Sequence, residues 1–215
     1  WRLIDSFGNV IFSDNFDTDQ PNVRLPSTGT FFLLIEGRRN ETAAAPTVTF
    51  NMRTVVNGTS AINVGDEVDG VIDTPGQIKT HTFTLTTAAR LHFDVLFNAP
   101  SFNWTLTGPT GTVVSARNFQ SSDSFDGYSV FQLPAGNYTI TVDADGDVTG
   151  AYSFRLLDFA DATPIALDTS ITQALTPGRG SRVFSFSGTK DQVVYFDQVT
   201  RTGFVNSSPT WRLID

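Results

Sequence analysis

Apolar and polar residues alternate with a period of two along much of the chain. In His81-Thr82-Phe83-Thr84-Leu85 the odd positions share one side and the threonines take the other. Leu91, Phe93 and Val95 share a face, which turns His92 and Asp94 the opposite way, toward water. Tyr138-Thr139-Ile140-Thr141-Val142 and Tyr152-Ser153-Phe154-Arg155-Leu156 repeat the pattern. Successive side chains of a strand point to opposite faces, so this period predicts half-buried β-strands. Turn chemistry separates the runs at Pro75-Gly76, Gly108-Pro109, Gly111, Pro134-Ala135-Gly136, Asp145-Gly146-Asp147 and Ser187-Gly188. No ten-residue stretch carries a helical period. Short strands at this spacing predict an all-β fold of antiparallel, jelly-roll-like β-sandwich domains in tandem.

The tandem organisation follows from an internal repeat, whose period sets the architecture. The chain opens on Trp1-Arg2-Leu3-Ile4-Asp5 and closes on the same five residues, Trp211-Arg212-Leu213-Ile214-Asp215. A degenerate copy, Trp104-Thr105-Leu106-Thr107-Gly108, lies between them, and the three tryptophans are 103 and 107 residues apart. Thr74-Pro75-Gly76 answers to Thr176-Pro177-Gly178, Phe83 to Phe186, and Phe93-Asp94 to Phe196-Asp197. Gly111-Thr112-Val113-Val114 matches Gly8-Asn9-Val10-Ile11, and Phe154-Arg155-Leu156 matches Phe50-Asn51-Met52. The register therefore predicts the second half of a unit over residues 1–61, a complete unit over 62–164 and the first half of another over 165–215. Both cuts fall inside the Trp strand, which reads as an excerpt of a tandem array or one subunit of a filament. Trp1, Trp104 and Trp211, with Leu3, Leu106 and Leu213 on the same face, are expected to anchor the core of each unit, because buried aromatics dominate sandwich cores.

Composition agrees and narrows the function. Of the 22 acidic residues 19 are Asp, and of the 14 basic residues only Lys79 and Lys190 are lysine. The chain avoids the good helix formers Glu and Lys and is rich in Phe, Thr and Val, which suit pleated surfaces. A net charge of -8 removes general affinity for nucleic acid and for anionic lipid. No apolar run is long enough for a helical membrane span. The absence of Cys excludes disulfides and thiolate chemistry.

The ordered series Pro75-Gly76-Gln77, Phe83-Thr84-Leu85, Phe93-Asp94-Val95, Trp104 with Gly108-Pro109-Thr110-Gly111, Leu133-Pro134-Ala135-Gly136-Asn137-Tyr138 and Tyr152-Ser153-Phe154 resembles the bacterial pre-peptidase C-terminal domain family and the related β-sandwich repeats of large bacterial surface proteins. The resemblance implies a secreted, jelly-roll-like accessory domain. Some relatives bind calcium or carbohydrate, others space or present further modules, and the family has no shared catalytic residues.

Chemistry-bearing motifs are few. Asp143, Asp145 and Asp147 alternate around Gly146 and could wrap oxygens about a hard cation such as calcium. No Glu follows to complete an EF-hand, the matching turn Glu36-Gly37-Arg38-Arg39-Asn40 carries two arginines, and a solvated Asp-Gly turn explains the residues as well. The acidic run Gly65-Asp66-Glu67-Val68-Asp69-Gly70 is a weaker candidate. His81 and His92 flank a predicted hairpin. They read as cross-strand structural residues, because a zinc site needs further ligands and the next unit has Phe184 and Tyr195 there. Ser187-Gly188-Thr189-Lys190 lies on a turn, not a helix, and no Gly-x-Ser-x-Gly or His-Glu-x-x-His occurs. Asn-x-Ser/Thr sequons stand at Asn40, Asn57, Asn103, Asn137 and Asn206.

Half a sandwich leaves an apolar face and open strand edges, and each end segment holds what the other lacks. The expectation is a non-enzymatic structural repeat of an extracellular or cell-surface bacterial fibre, stalk or adhesin. Its partners would be neighbouring copies of itself, joined head to tail by β-sandwich completion, with no nucleic acid and no membrane insertion. The alternative is a carbohydrate- or calcium-binding accessory module of a secreted enzyme. No cofactor is expected, calcium being the one candidate.

Overall fold

The structure is a computed structural model that describes residues 1–122, 130–205 and 209–215. In chain order the strands are β1 (Arg2–Asp5), β2 (Val10–Ser13), β3 (Phe31–Leu34), β4 (Gly58–Ala61), β5 (Glu67–Ile72), β6 (Lys79–Leu85), β7 (Ala89–Val95), β8 (Phe102–Gly108), β9 (Gly111–Asn118), β10 (Val130–Leu133), β11 (Gly136–Ala144), β12 (Gly150–Asp158), β13 (Thr163–Pro164) and β14 (Phe184–Ser185). The only helical pieces among the described residues are two single 3₁₀ turns, Gln120–Ser122 and Phe159–Asp161.

The middle of the chain is a two-sheet sandwich. One sheet has the order β10-β7-β12-β5 and the other β4-β6-β11-β8-β9. All their pairings are antiparallel except that of β4 with β6. The five-stranded sheet thus reaches back to Gly58, ahead of the boundary that the repeat places at residue 62. The period-two reading holds on β6 and β11. His81, Phe83 and Leu85 are buried while Thr82 and Thr84 turn outward, and Tyr138, Ile140 and Val142 line the inner row of β11.

The two layers meet at aromatic rings. Trp104 of β8 lies flat on Phe93 of β7, with ring centroids 3.8 Å apart and planes 4° from parallel. Phe93 also stacks on Phe154 of β12 at 4.9 Å. The indole Nε1–H of Trp104 donates to Ser122 Oγ at 2.7 Å, so its one polar atom is satisfied inside the core. Gly70 permits a close approach across β5 and β12, because a Cβ there would sit 2.1 Å from the ring of its cross-strand partner Tyr152.

Ahead of the sandwich, β1 to β3 form a three-stranded antiparallel sheet of order β2-β1-β3. This is the order of β9-β8-β11 in the sandwich, with β1 standing where β8 stands. The register agrees too: Leu3 opposes Leu33 of β3, as Leu106 opposes Ile140 of β11. Beyond the sandwich, β13 and β14 form a short parallel pair.

Replacing Trp104 with Ala should destabilise the sandwich by about 3–5 kcal/mol, the cost of emptying a large buried aromatic site. Trp211→Ala, at a position 66% exposed, should stay within about 0.5 kcal/mol in dilute solution. Urea denaturation of both variants checks the contrast, and equal costs would contradict the packing described.

Candidate functional site

The three copies of the Trp strand stand at three degrees of burial. Trp104 is 1% exposed and Leu106 is equally enclosed. Trp1 is half-buried against the edges of Phe12 and Phe16, at 5.6 and 4.9 Å, and Leu3 is buried. Its Nε1–H, however, is buried with no acceptor among the described residues. Trp211 and Leu213 are exposed. Trp211 meets Phe196 edge-on at 6.0 Å, whereas the equivalent Trp104 and Phe93 are fully stacked. The same sequence signature therefore sits in a closed core, a half-covered sheet and an open segment.

The outer face of the four-stranded sheet departs from the alternation-based expectation. His92 and Asp94 point away from the core, as their positions require, yet they do not meet water: Asp94 is 2% exposed and His92 is buried. The segment around Gly180 and Ser181 covers them. Ser181 N–H donates to both carboxylate oxygens of Asp94, at 3.0 and 3.1 Å. Arg155, directly opposite Asp94 on β12, donates from Nη2 to the same carboxylate at 2.6 Å and to Ser181 O at 3.3 Å. His92 Nε2 lies 3.2 Å from Ser181 Oγ. A buried carboxylate is costly unless paired and hydrogen-bonded, and here it is both. Alternation tells which way a side chain points but not whether something distant in sequence lies on top of it. The hint that was available is the facing pair of opposite charges on β7 and β12.

The expected hairpin pairing of His81 with His92 is also overturned. β6 and β7 belong to different sheets, since both edges of each are already taken: β6 by β4 and β11, β7 by β10 and β12. His81 instead faces inward, with Nδ1 2.8 Å from Ser60 Oγ and Nε2 2.8 Å from Tyr152 Oη. A neutral imidazole donates from one nitrogen and accepts at the other, so it satisfies both hydroxyls at once. Desolvation, with the Lys79 charge adding to it, holds the imidazole below its ordinary value. Burial pushes the Tyr152 phenol far up, so it stays neutral. The Ser60–His81 contact has the distance of a nucleophile–base pair, but a neutral phenol cannot stabilise an imidazolium as a carboxylate does, and the arrangement acts as a structural polar network. Nothing in the spacing of Ser60, His81 and Tyr152 announces this network, because β4 reaches β6 only through the sheet.

Asp143, Asp145 and Asp147 do not converge. No group of three or more His, Asp or Glu residues placed to hold a metal ion occurs among the described residues. Asp145 is drawn off by Asn103, whose Nδ2–H donates to it at 2.7 Å, and its backbone closes the turn to Val148. Desolvation raises the Asp143 carboxyl, with repulsion from Asp145 adding to it. The second acidic run is spent in the same way, Asp66 accepting from Asn63 and Glu67 from Ser153. Among the sequons, Asn57 accepts from Ile78 N–H, Asn137 from the Thr84 hydroxyl, and Asn206 lies outside the described residues.

No protein-family model matches this chain, and no curated protein does either. Among solved structures it is similar to the pre-peptidase C-terminal domain of a Bacillus anthracis collagenase, at 15% identity over 49% of this chain and 99% of that one, with a TM-score of 0.35. It is also similar to PliG, a periplasmic inhibitor of g-type lysozyme, from Salmonella Typhimurium, at 18% identity over 46% of this chain and 97% of that one, with a TM-score of 0.36. The Aeromonas hydrophila PliG gives 14% identity, 48% and 99% coverage and a TM-score of 0.33. Likenesses at this level assign no function.

The buried imidazole has a measurable consequence. Its folded-state value lies below the unfolded one, near 6.5, so the folded state prefers the neutral form. The stability this contributes is whole above that value and is lost as the pH falls through the lowered folded value. His81→Gln should flatten the fall in stability between about pH 7.5 and 5, measured by urea denaturation of variant and parent side by side. An unchanged acid slope would contradict the assignment to His81.

Proposed function

We propose that this chain is part of a tandem array of β-sandwich units that works mechanically, as an extracellular bacterial fibre, stalk or adhesin segment, and performs no catalysis. The observation that carries the reading is the recurrence of one strand at three stages of closure: sealed at Trp104, half-covered at Trp1 and open at Trp211. The order β2-β1-β3 supports it, being the order of three of the five strands in the complete sandwich's second sheet.

Both flanking segments carry apolar side chains that a closed unit would bury. Phe50 and Met52, which match Phe154 and Leu156, are exposed on one side, and Phe196 and Val199, which match Phe93 and Leu96, on the other. Phe196 stands where the sandwich has Phe93, and its edge-on contact with Trp211 is the same pair not yet stacked. Covering such a face releases on the order of 25 cal/mol per Å² of apolar surface. The occupant that fits is the complementary half of the same unit, the equivalent of residues 1–61, from a neighbouring copy. Head-to-tail completion of that kind does not close on itself and builds an open fibre.

Sedimentation velocity over a range of concentrations should therefore show reversible association of the 215-residue chain. Phe196→Asp should suppress it while leaving the central sandwich folded. A single monomeric species at every concentration would sink the completion reading.

A further inference from the structure

We propose that the outer face of β7 and β12 is a socket for the turn at residues 176–182, early in the following unit, and that this joint fixes the direction in which that unit leaves the sandwich. It rests on the tandem reading above. The socket grips main chain. Asp94 takes the Ser181 N–H on both its oxygens, and Arg155 reaches the Ser181 carbonyl from the same side. Arg182 completes the plug from within, donating from Nη1 to Ser181 O at 2.8 Å and from Nη2 to Thr176 O at 3.0 Å.

Gly180 is buried in the joint, and a Cβ there would stand 3.2 Å from Pro177 O of the same turn, so glycine keeps the turn itself compact, while Arg155 Nη2 and Leu96 Cδ2 would lie at ordinary contact distances of 3.4 and 3.5 Å. The turn is presented with its backbone toward the sheet. A carboxylate that accepts a backbone N–H and an arginine at once makes charge-assisted bonds, stronger than neutral ones. Because Asp94 is sealed from solvent, salt screens this contact little.

The joint is separate from the folding of the sandwich. β7 and β12 already pair through five registered positions of main chain, and the core lies on their other face. Part of the joint has a counterpart in the repeat. Phe93-Asp94 returns as Phe196-Asp197, and Thr176-Pro177-Gly178 matches Thr74-Pro75-Gly76 between β5 and β6. Asn51 stands at the place that matches Arg155, and Gln77-Ile78-Lys79 follows Gly76 where Arg179-Gly180-Ser181 follows Gly178, so the arginine and the Gly-Ser pair belong to this joint alone.

Limited trypsin digestion of the full chain, with hydrogen exchange over residues 176–182, tests the joint, because Arg179 and Arg182 both lie in the plug. Ser181→Pro removes the N–H that Asp94 accepts and replaces no residue of the sandwich. It should speed cleavage at these two sites about tenfold and raise exchange there, while the urea midpoint of the sandwich stays in place. Asp94→Asn should also open these sites, with a lower urea midpoint because Arg155 loses its buried partner. Arg155→Lys should retain protection, since Arg155 reaches the joint through Nη2 alone and its Nε finds no acceptor among the described residues. Equal cleavage in parent and Ser181→Pro, or a plug as open as a free tail in the parent, would overturn the proposal. A protected plug in a chain that sediments only as a monomer would keep the joint and reject sandwich completion, so the two readings fail separately.

Discussion

Trp104 lying on Phe93 is the contact on which the rest of the sandwich depends. It is the point where a ring from each sheet shares one face, and Phe154, Phe119 and Phe131 pack around that pair. Consecutive residues of a strand face opposite sides, so the fixed position of Phe93 also fixes its neighbour Asp94 on the outer surface. Phe154 and Arg155 on β12 stand in the same relation, one ring inward and one charge outward. Core packing thus sets the geometry of the Asp94–Arg155 pair, and through it the position of Ser181. A change in the stack reaches the joint without any contact between them.

Two buried polar groups use different means to offset desolvation. His81 is neutral and is satisfied by two hydroxyls, so it sits between the sheets at little electrostatic cost. The Asp94 carboxylate is met by both a cation and a backbone donor. The first arrangement sits within the sandwich alone. The second is complete only when the chain beyond the sandwich has come back onto it, which couples the covering segment to the sheet.

The strands were legible because period two is a property of each strand by itself. The likeness of the Trp segments is written in the order of residues, and two of them lie in sheets of like strand order, β2-β1-β3 and β9-β8-β11. What escaped were relations between strands. The three-residue connection from Leu85 to Ala89 looks like a hairpin, but β6 and β7 are each saturated by other partners and lie in different sheets. Asp94 looks solvated because nothing near it in sequence covers it; its cover comes from residue 181. The alternating carboxylates at Asp143, Asp145 and Asp147 have the spacing of a cation site, but the three are not grouped to hold a metal ion, and Asn103 on the neighbouring strand donates to the middle one.

The exposed residues of the flanking segments follow from the same logic as the buried ones. Trp1, Leu3, Phe31 and Leu33 match Trp104, Leu106, Tyr138 and Ile140 in register, and each is less buried than its match, lying in a three-stranded sheet and not between the two layers of the sandwich. The Trp1 indole Nε1–H is buried without an acceptor among the described residues, whereas that of Trp104 is capped by Ser122 in the 3₁₀ turn that follows β9. A buried donor left unmet costs roughly 1–3 kcal/mol. The sandwich around Trp104 has already met the same demand within itself.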